Sequence, residues 1–204
     1  MIRRALFAGA LALGLFAGAV SAQAPDQALE GDRTTGRADA PVTVTAYLSP
    51  TCPHCADWFT SDWPAFKAAY VTPGRVRMVW RELPTSPQQL ASAGIIIARC
   101  APADRYEDVL QALMSGQEAM YATRQPGPWL QAAGQAAGLD QAGIDACLAD
   151  EDNLADLNAR LALAQADQVR GTPSMLVNGE KLADPHLASL RAPVDARLGA
   201  SRAP

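Results

Sequence analysis

Residues 42–70 read VTVTAYLSPTCPHCADWFTSDWPAFKAAY, and this stretch decides the fold. Its first seven residues are rich in β-branched side chains and alternate, a pattern that predicts a β-strand. After a short turn, large aromatic side chains recur at helical spacing; they are Trp58, Phe59, Trp63, Phe66 and Tyr70. The sequence therefore predicts a strand followed by a helix, and the helix begins at Cys52-Pro53-His54-Cys55.

This four-residue motif carries the candidate chemistry. Two residues separate Cys52 from Cys55, so the two thiols can close and reopen a small disulfide ring. At a helix N-terminus the backbone amides favour the thiolate of Cys52, and a protonated His54 adds a positive charge. We expect Cys52 to form a mixed disulfide with substrate and Cys55 to close the ring again. Together with Pro53, these are the candidate catalytic residues.

Two structural interpretations compete with redox chemistry at this motif. The first is a stabilising disulfide, but a loop this short gains little from chain entropy. The second is half of a zinc site, but His186 is the only other histidine and lies near the far terminus. Redox catalysis is therefore favoured, with no metal and with no cofactor beyond the Cys52–Cys55 disulfide itself.

The N-terminus has the layout of a secretory signal. Arg3 and Arg4 precede an apolar stretch over residues 5–20, and small residues end at Ala22. Sixteen apolar residues fall short of the roughly 20 that span a bilayer, which argues against a lasting membrane anchor. We therefore expect cleavage after residue 22, export of the remainder, and no stable membrane insertion. Export would place the four cysteines where disulfides persist.

Charge and composition limit the other classes of function. The formal net charge of the chain is −4 and no basic cluster is present, which argues against nucleic acid as a partner. Residues 23–37 are polar with two glycines and are expected to form a flexible lead-in. Residues 75–81 alternate as a strand, and its arginines are expected to form a solvated face; they are Arg75, Arg77 and Arg81.

The second half of the chain changes character. Alanine- and leucine-rich segments predict helices over residues 88–100, 104–114, 128–137, 141–149 and 153–169, with Asp152 or Asn153 as N-cap of the last. Strand character resumes over residues 174–177, followed by Asn178-Gly179, a favourable type I′ turn. A short strand over residues 180–182 and a helix that Asp184 caps complete the chain.

Together these segments resemble the DsbA-like thiol–disulfide oxidoreductases. The resemblance rests on residues 36–44, the Cys52–Cys55 motif, Pro64, residues 80–84, and Gly171-Thr172-Pro173-Ser174 with the turn that follows. It implies an α/β thioredoxin fold with an all-helical insertion. The thioredoxin-like domain would comprise residues 38–85 and 170–204, and the insertion residues 86–169.

The resemblance also implies the roles of residues outside the motif. A cis Thr172–Pro173 bond would lie against the two sulfurs, and the backbone of Thr172 would pair with an extended substrate. Relatives often carry a second bridge, here Cys100–Cys147, although two free thiols remain an alternative. Many relatives hold a buried glutamate where this chain has Ala46, and Glu82 is a possible substitute.

The implied function is a periplasmic enzyme that introduces disulfides into reduced exported polypeptides. A DsbB-like, quinone-linked membrane protein would reoxidise it. The first alternative is a disulfide isomerase or reductase with the same fold. The second is a non-catalytic module that binds a metal through Cys52, His54 and Cys55, or binds polypeptides in an apolar groove.

Overall fold

The computed structural model describes residues 28–201, and the signal sequence predicted over residues 1–22 lies outside them. Five strands form one sheet: β1 (Arg33–Thr35), β2 (Val42–Leu48), β3 (Val76–Glu82), β4 (Ser174–Val177) and β5 (Glu180–Lys181). The helices are α1 (Pro53–Asp57), α2 (Trp63–Phe66), α3 (Gln88–Cys100), α4 (Tyr106–Thr123), α5 (Pro126–Ala137), α6 (Gln141–Ala149), α7 (Glu151–Ala166) and α8 (Leu187–Ala200). This is the thioredoxin fold with a helical insertion between β3 and β4.

The sheet has the strand order β1-β3-β2-β4-β5. Strands β2 and β3 run parallel, in a register that pairs Val42 with Val76 and Leu48 with Glu82. Parallel neighbours need a crossover connection, and the helical segment that begins at Pro53 provides it. The remaining pairs are antiparallel. The chain therefore leaves the carboxyl end of central strand β2 and enters the active-site helix within five residues.

The aromatic residues of the crossover helix form the centre of the core. Trp58, Phe59, Trp63 and Phe66 are all buried. Trp63 packs edge-on against Trp80 of β3, with 4.8 Å between the ring centroids, an arrangement that the quadrupoles of aromatic rings favour. These contacts fix the crossover helix on the sheet and, with it, the position of the cysteine motif.

The crossover helix is helical throughout but not α-helical throughout. Two π-helical turns, Trp58–Asp62 and Lys67–Val71, flank α2. Pro64 lies in the first turn of α2, just after the first π-helical turn. Proline lacks the backbone N–H of the α-helical ladder, so the change in helical type at this point has a local cause.

Three helices of the insertion, α4, α5 and α7, differ in their bounds from the prediction. Helix α4 extends to Thr123 and not Met114, and it ends at Arg124, which adopts a left-handed conformation. Helix α5 begins at Pro126 and not at residue 128, so Gly127 lies within it. The N-cap of α7 is Asp150, whose carboxylate accepts the N–H of Asp152. Tertiary packing of α4 supports residues whose own sequence gave no clear helical pattern.

The expected flexible lead-in is wrong for the residues that the structure describes. Arg33–Thr35 forms an edge strand that pairs antiparallel with β3. Just before it, the fully buried carboxylate of Asp32 bridges Arg81 of β3 and Arg160 of α7, at 3.1 and 3.2 Å. Asp32, one of the polar residues of this segment, therefore belongs to a buried ion-pair network.

The expected solvated row of arginines is wrong at Arg81, which is buried. Its guanidinium also contacts Asp167, just after α7, at 2.7 Å, and donates to the hydroxyl of Tyr47 on β2. The end of the insertion therefore covers the second face of the sheet. The alternation of residues in a strand cannot show that another segment packs on its polar face.

A disulfide joins Cys100 and Cys147, with 6.4 Å between their Cα atoms. It connects the last residue of α3 to α6 and closes a long loop within the insertion. Among residues 28–201, no helix combines the length and apolar character that crossing a membrane requires.

Replacing Asp32 by asparagine should destabilise the protein, because two buried guanidinium groups would lose their shared countercharge. Breaking a buried pair costs about 3 kcal/mol or more, which urea unfolding would measure. The matched control is Asp39→Asn, because Asp39 pairs with Arg37 at an exposed site. An equal loss of stability in both variants would contradict the proposed role of Asp32.

Replacing both Cys100 and Cys147 by serine should lower the melting temperature. The bridge spans a sequence separation of 47 residues, and chain entropy assigns such a loop about 4 kcal/mol, with smaller values often measured. The thiolate titration of Cys52 should not change, since the bridge belongs to a different part of the fold. Unchanged thermal stability would show that the bridge is dispensable.

Candidate active site

The two cysteines of the motif occupy different positions at the start of α1. Cys52 is the N-cap residue, in an extended conformation, and Cys55 lies within the first turn. Both are free thiols; Cys55 has no exposed surface and Cys52 retains 8%. Only the Cys52 sulfur is therefore open to a substrate, while Pro53 and His54 between the cysteines are exposed.

The surroundings of Cys55 keep it protonated. Burial is the largest cause that raises its pKa, and the Cys52 sulfur raises it further. The backbone N–H of Ser49 donates to the Cys55 Sγ at 3.4 Å and acts in the opposite direction. The balance leaves Cys55 a neutral thiol in the reduced protein.

Cys52 has the opposite character, with a pKa lowered to about 5 from an ordinary value of 9.0. A hydrogen bond from the Cys55 side chain is the largest cause, and burial opposes it. The Thr172 side chain and the backbone N–H groups of Cys55 and His54 lower the pKa further. These N–H groups belong to the first turn of α1, and a negative charge is favoured at the N-terminus of a helix.

The loop before β4 approaches the exposed sulfur. Its Thr172–Pro173 bond is cis, as the resemblance implied. The Ser86–Pro87 bond is also cis, although no sequence feature predicted it. The Cys52 thiol donates to the carbonyl of Thr172 at 3.3 Å. The Thr172 hydroxyl oxygen is buried and has no hydrogen-bond partner among residues 28–201. The hydroxyl is therefore available to donate a hydrogen bond to the Cys52 thiolate.

Sequence reasoning missed two residues of α4 that hold the active-site loop. Gln117 donates through Nε2 to the carbonyls of Pro50 and Cys52, at 2.7 and 3.1 Å. The Tyr121 hydroxyl donates to the carbonyl of Thr51 at 2.7 Å. Both residues lie beyond the predicted end of this helix, so no sequence signal pointed to them. The insertion thus supports the motif directly.

The structure gives Glu82 partners of its own. Glu82 is buried, and its Oε1 accepts hydrogen bonds from Arg99 at 2.8 Å and from the Tyr106 hydroxyl at 3.1 Å. Its Oε2 has no partner among the described residues. Ala46 is paired with Trp80 in the sheet and is buried in the core. The acid of many relatives is therefore replaced here by apolar packing.

Within residues 28–201, no three His, Cys, Asp or Glu side chains are grouped so as to hold a metal ion. His186 lies at the N-cap of α8 and contacts Asp62 at 3.2 Å. What the site does contain is one stabilised thiolate, one buried neutral thiol and an adjacent backbone carbonyl. This combination is suited to thiol–disulfide exchange.

Comparison with known sequences agrees with this chemistry. A family profile described as thioredoxin matches residues 28–196. The chain is 27% identical over 175 residues to a Rickettsia bellii protein named "Putative protein-disulfide oxidoreductase", covering 85% of this chain and 67% of that protein. A similarly named Rickettsia conorii protein is 29% identical over 171 residues, covering 83% and 61%. The chain thus spans roughly two thirds of the length of these relatives.

Solved structures share the fold at low sequence identity. Wolbachia pipientis alpha-DsbA1 superimposes with a TM-score of 0.76 at 18% identity, covering 85% of this chain and 94% of that one. Oxidised BdbD from Bacillus subtilis gives a TM-score of 0.76 at 17% identity, covering 86% and 97%. The chain belongs to the thioredoxin family and has the fold of its DsbA-like members.

Proposed function

We propose that the protein is a thiol–disulfide oxidoreductase that donates its Cys52–Cys55 disulfide to reduced exported polypeptides. The observation that carries this proposal is the contrast between the two sulfurs: the pKa of Cys52 is lowered to about 5 and that of Cys55 is raised. The family and the names of the relatives support the class of reaction. The direction of transfer rests on the site itself.

The reaction begins with the oxidised protein. A substrate thiolate attacks the Cys52 Sγ, the Cys52–Cys55 bond breaks, and Cys55 leaves and takes up a proton. A second substrate thiolate then attacks the substrate sulfur of the mixed disulfide, and Cys52 leaves as a thiolate. The substrate dithiol loses two electrons, and the protein gains them as its own dithiol.

The low pKa of Cys52 favours transfer towards the substrate. A stable thiolate is a good leaving group, so the second step is fast. It also stabilises the reduced protein, which weakens the Cys52–Cys55 disulfide and makes it oxidising. Because the pKa is lowered, this stabilisation is complete above the ordinary thiol pKa and is lost as the pH falls through about 5.

The loop that contains Thr172 and Pro173 is the proposed substrate-binding segment. Both residues are partly exposed next to Cys52, and proline offers no N–H that would compete for the thiolate. An extended substrate would pair with the backbone of Thr172, as in strand addition to a sheet edge. This pairing would align the substrate sulfur with Cys52 without selecting a side chain.

The setting of the reaction is also a proposal. The signal-like residues 1–22 support export to the periplasm, where the Cys100–Cys147 disulfide would persist. Reoxidation would require a disulfide or quinone-linked partner such as a DsbB-like membrane protein. An isomerase or reductase with the same fold would instead hold a more reducing Cys52–Cys55 pair, and the reduction potential measured against glutathione separates the two.

Cys52→Ser should abolish oxidation of a reduced test protein, because no sulfur remains for the substrate to attack. Cys55→Ser should accumulate mixed disulfides between Cys52 and the substrate, because the ring can no longer close. Non-reducing electrophoresis with mass spectrometry measures both results. The control, Cys100→Ser with Cys147→Ser, should retain oxidase activity. Oxidation by Cys52→Ser at the normal rate would refute the proposed function.

The ultraviolet absorbance of the Cys52 thiolate in the reduced protein should appear with a midpoint near pH 5. Cys55→Ala should raise the midpoint most, since it removes the largest cause of the lowered pKa. His54→Ala should raise it less, because the ring is exposed and screened by solvent while the backbone N–H remains. A midpoint near the ordinary thiol pKa in the unaltered protein would contradict this account.

A further inference from the structure

A pocket of about 470 Å³ opens beside the active-site sulfur, between α1 and α4. Its apolar wall includes Pro53, Met114 and Tyr121, and two acidic residues, Asp57 and Glu118, also line it. Pro53 directly follows Cys52 in the chain. A group bound in this pocket would therefore lie close to any peptide that is joined to the Cys52 sulfur.

The polar groups of this pocket accept hydrogen bonds. Asp57 and Glu118 are exposed, and in the described part of the chain no Lys, Arg or His side chain forms a salt bridge with either. Gln117 is 97% buried and also lines the pocket. Its Nε2 is committed to two backbone carbonyls, while no donor from residues 28–201 reaches its Oε1. The pocket therefore offers acceptors without a matching cation.

An arginine side chain is complementary to such a pocket. Its methylene groups can cover an apolar wall while its charged end stays near solvent. The guanidinium carries five N–H donors and no acceptor, which matches two carboxylates and an amide oxygen. The exposed ring of Tyr121 adds a surface on which a cation can lie. The two carboxylates would repel an acidic side chain, and a neutral side chain would leave their negative charge unmatched.

We propose that the pocket between α1 and α4 binds an arginine of the substrate polypeptide, near the cysteine that is joined to Cys52. The inference rests on the proposed function and adds a substrate preference to it. Whereas pairing with the Thr172 backbone is independent of side chains, this pocket selects by charge. Polypeptides with an arginine close to a cysteine would be the preferred substrates.

Competition between two peptides for Cys52 tests this preference without turnover. The Cys55→Ser protein is equilibrated in glutathione buffer with equal amounts of two single-cysteine peptides. One carries arginine and the other carries citrulline, a neutral side chain of nearly the same shape. Each adduct forms by exchange, in which a Cys52–peptide bond replaces a Cys52–glutathione bond and glutathione leaves as a thiol. The arginine is moved one residue at a time on either side of the cysteine.

Mass spectrometry gives the ratio of the two adducts. At the placement that reaches the pocket, the arginine adduct should exceed the citrulline adduct by about 1.4- to 5-fold, the range for an exposed charge pair. The excess should shrink as salt is added. When Asp57→Asn and Glu118→Gln are introduced into the Cys55→Ser protein, the ratio of arginine adduct to citrulline adduct should fall close to one. Adding Asp108→Asn should leave it unchanged, because this exposed acid lies ten residues before Glu118, about 15 Å along α4.

A ratio of one at every placement would overturn the inference, as would an arginine excess that persists after both pocket acids are neutralised. Oxidation of dithiol peptides by the unaltered protein is a separate measurement. If no such peptide is oxidised, the proposed function fails, whereas the adduct ratio still reports on the pocket. The two failures are therefore distinguishable.

Discussion

The hydrogen bond between the Cys55 side chain and the Cys52 sulfur is the interaction on which the chemistry of this protein depends. It is the largest cause of the lowered Cys52 pKa, and the same contact raises the pKa of Cys55. The pair is thus divided into one stable thiolate and one neutral thiol. This division depends on the full burial of Cys55 while Cys52 keeps a small accessible surface, and the start of a packed helix places the two thiols in this way.

Much of the fold maintains that arrangement. The aromatic contacts of the crossover helix with β3 fix α1 on the sheet, and β2 delivers the chain to its N-terminus. From the insertion, Gln117 and Tyr121 hold the carbonyls of the loop before Pro53. These bonds fix the backbone that leads into Cys52 and the start of α1. The insertion is therefore part of the active site, and in our proposal α4 also forms one side of a substrate pocket.

A second set of interactions secures the opposite face of the sheet. Arg81 and Arg160 share the buried carboxylate of Asp32, and Arg81 also contacts Asp167. Buried charges are costly unless they are paired, so each of these groups depends on segments far apart in the sequence. The network connects the N-terminal edge strand, the central sheet and the last helix of the insertion. Because this network lies on the other face of the sheet, its charged groups do not contact the sulfurs of Cys52 and Cys55.

The sequence by itself was sufficient to predict the thioredoxin fold, the cysteine motif, the cis Thr172–Pro173 bond and the bounds of α3, α6 and β4. The strands, the helices and the motif depend on local patterns, namely alternation, helical spacing, turn residues and cysteine spacing, whereas the cis bond was implied by the resemblance to DsbA-like proteins. Only the tertiary structure decided that Arg81 is buried, that residues 33–35 form a strand, and that α4 reaches Tyr121. Each of these depends on a partner remote in the chain, and a local pattern carries no information about the partner. The same reason explains why the pocket beside Cys52, built from two distant helices, is visible only in the folded protein.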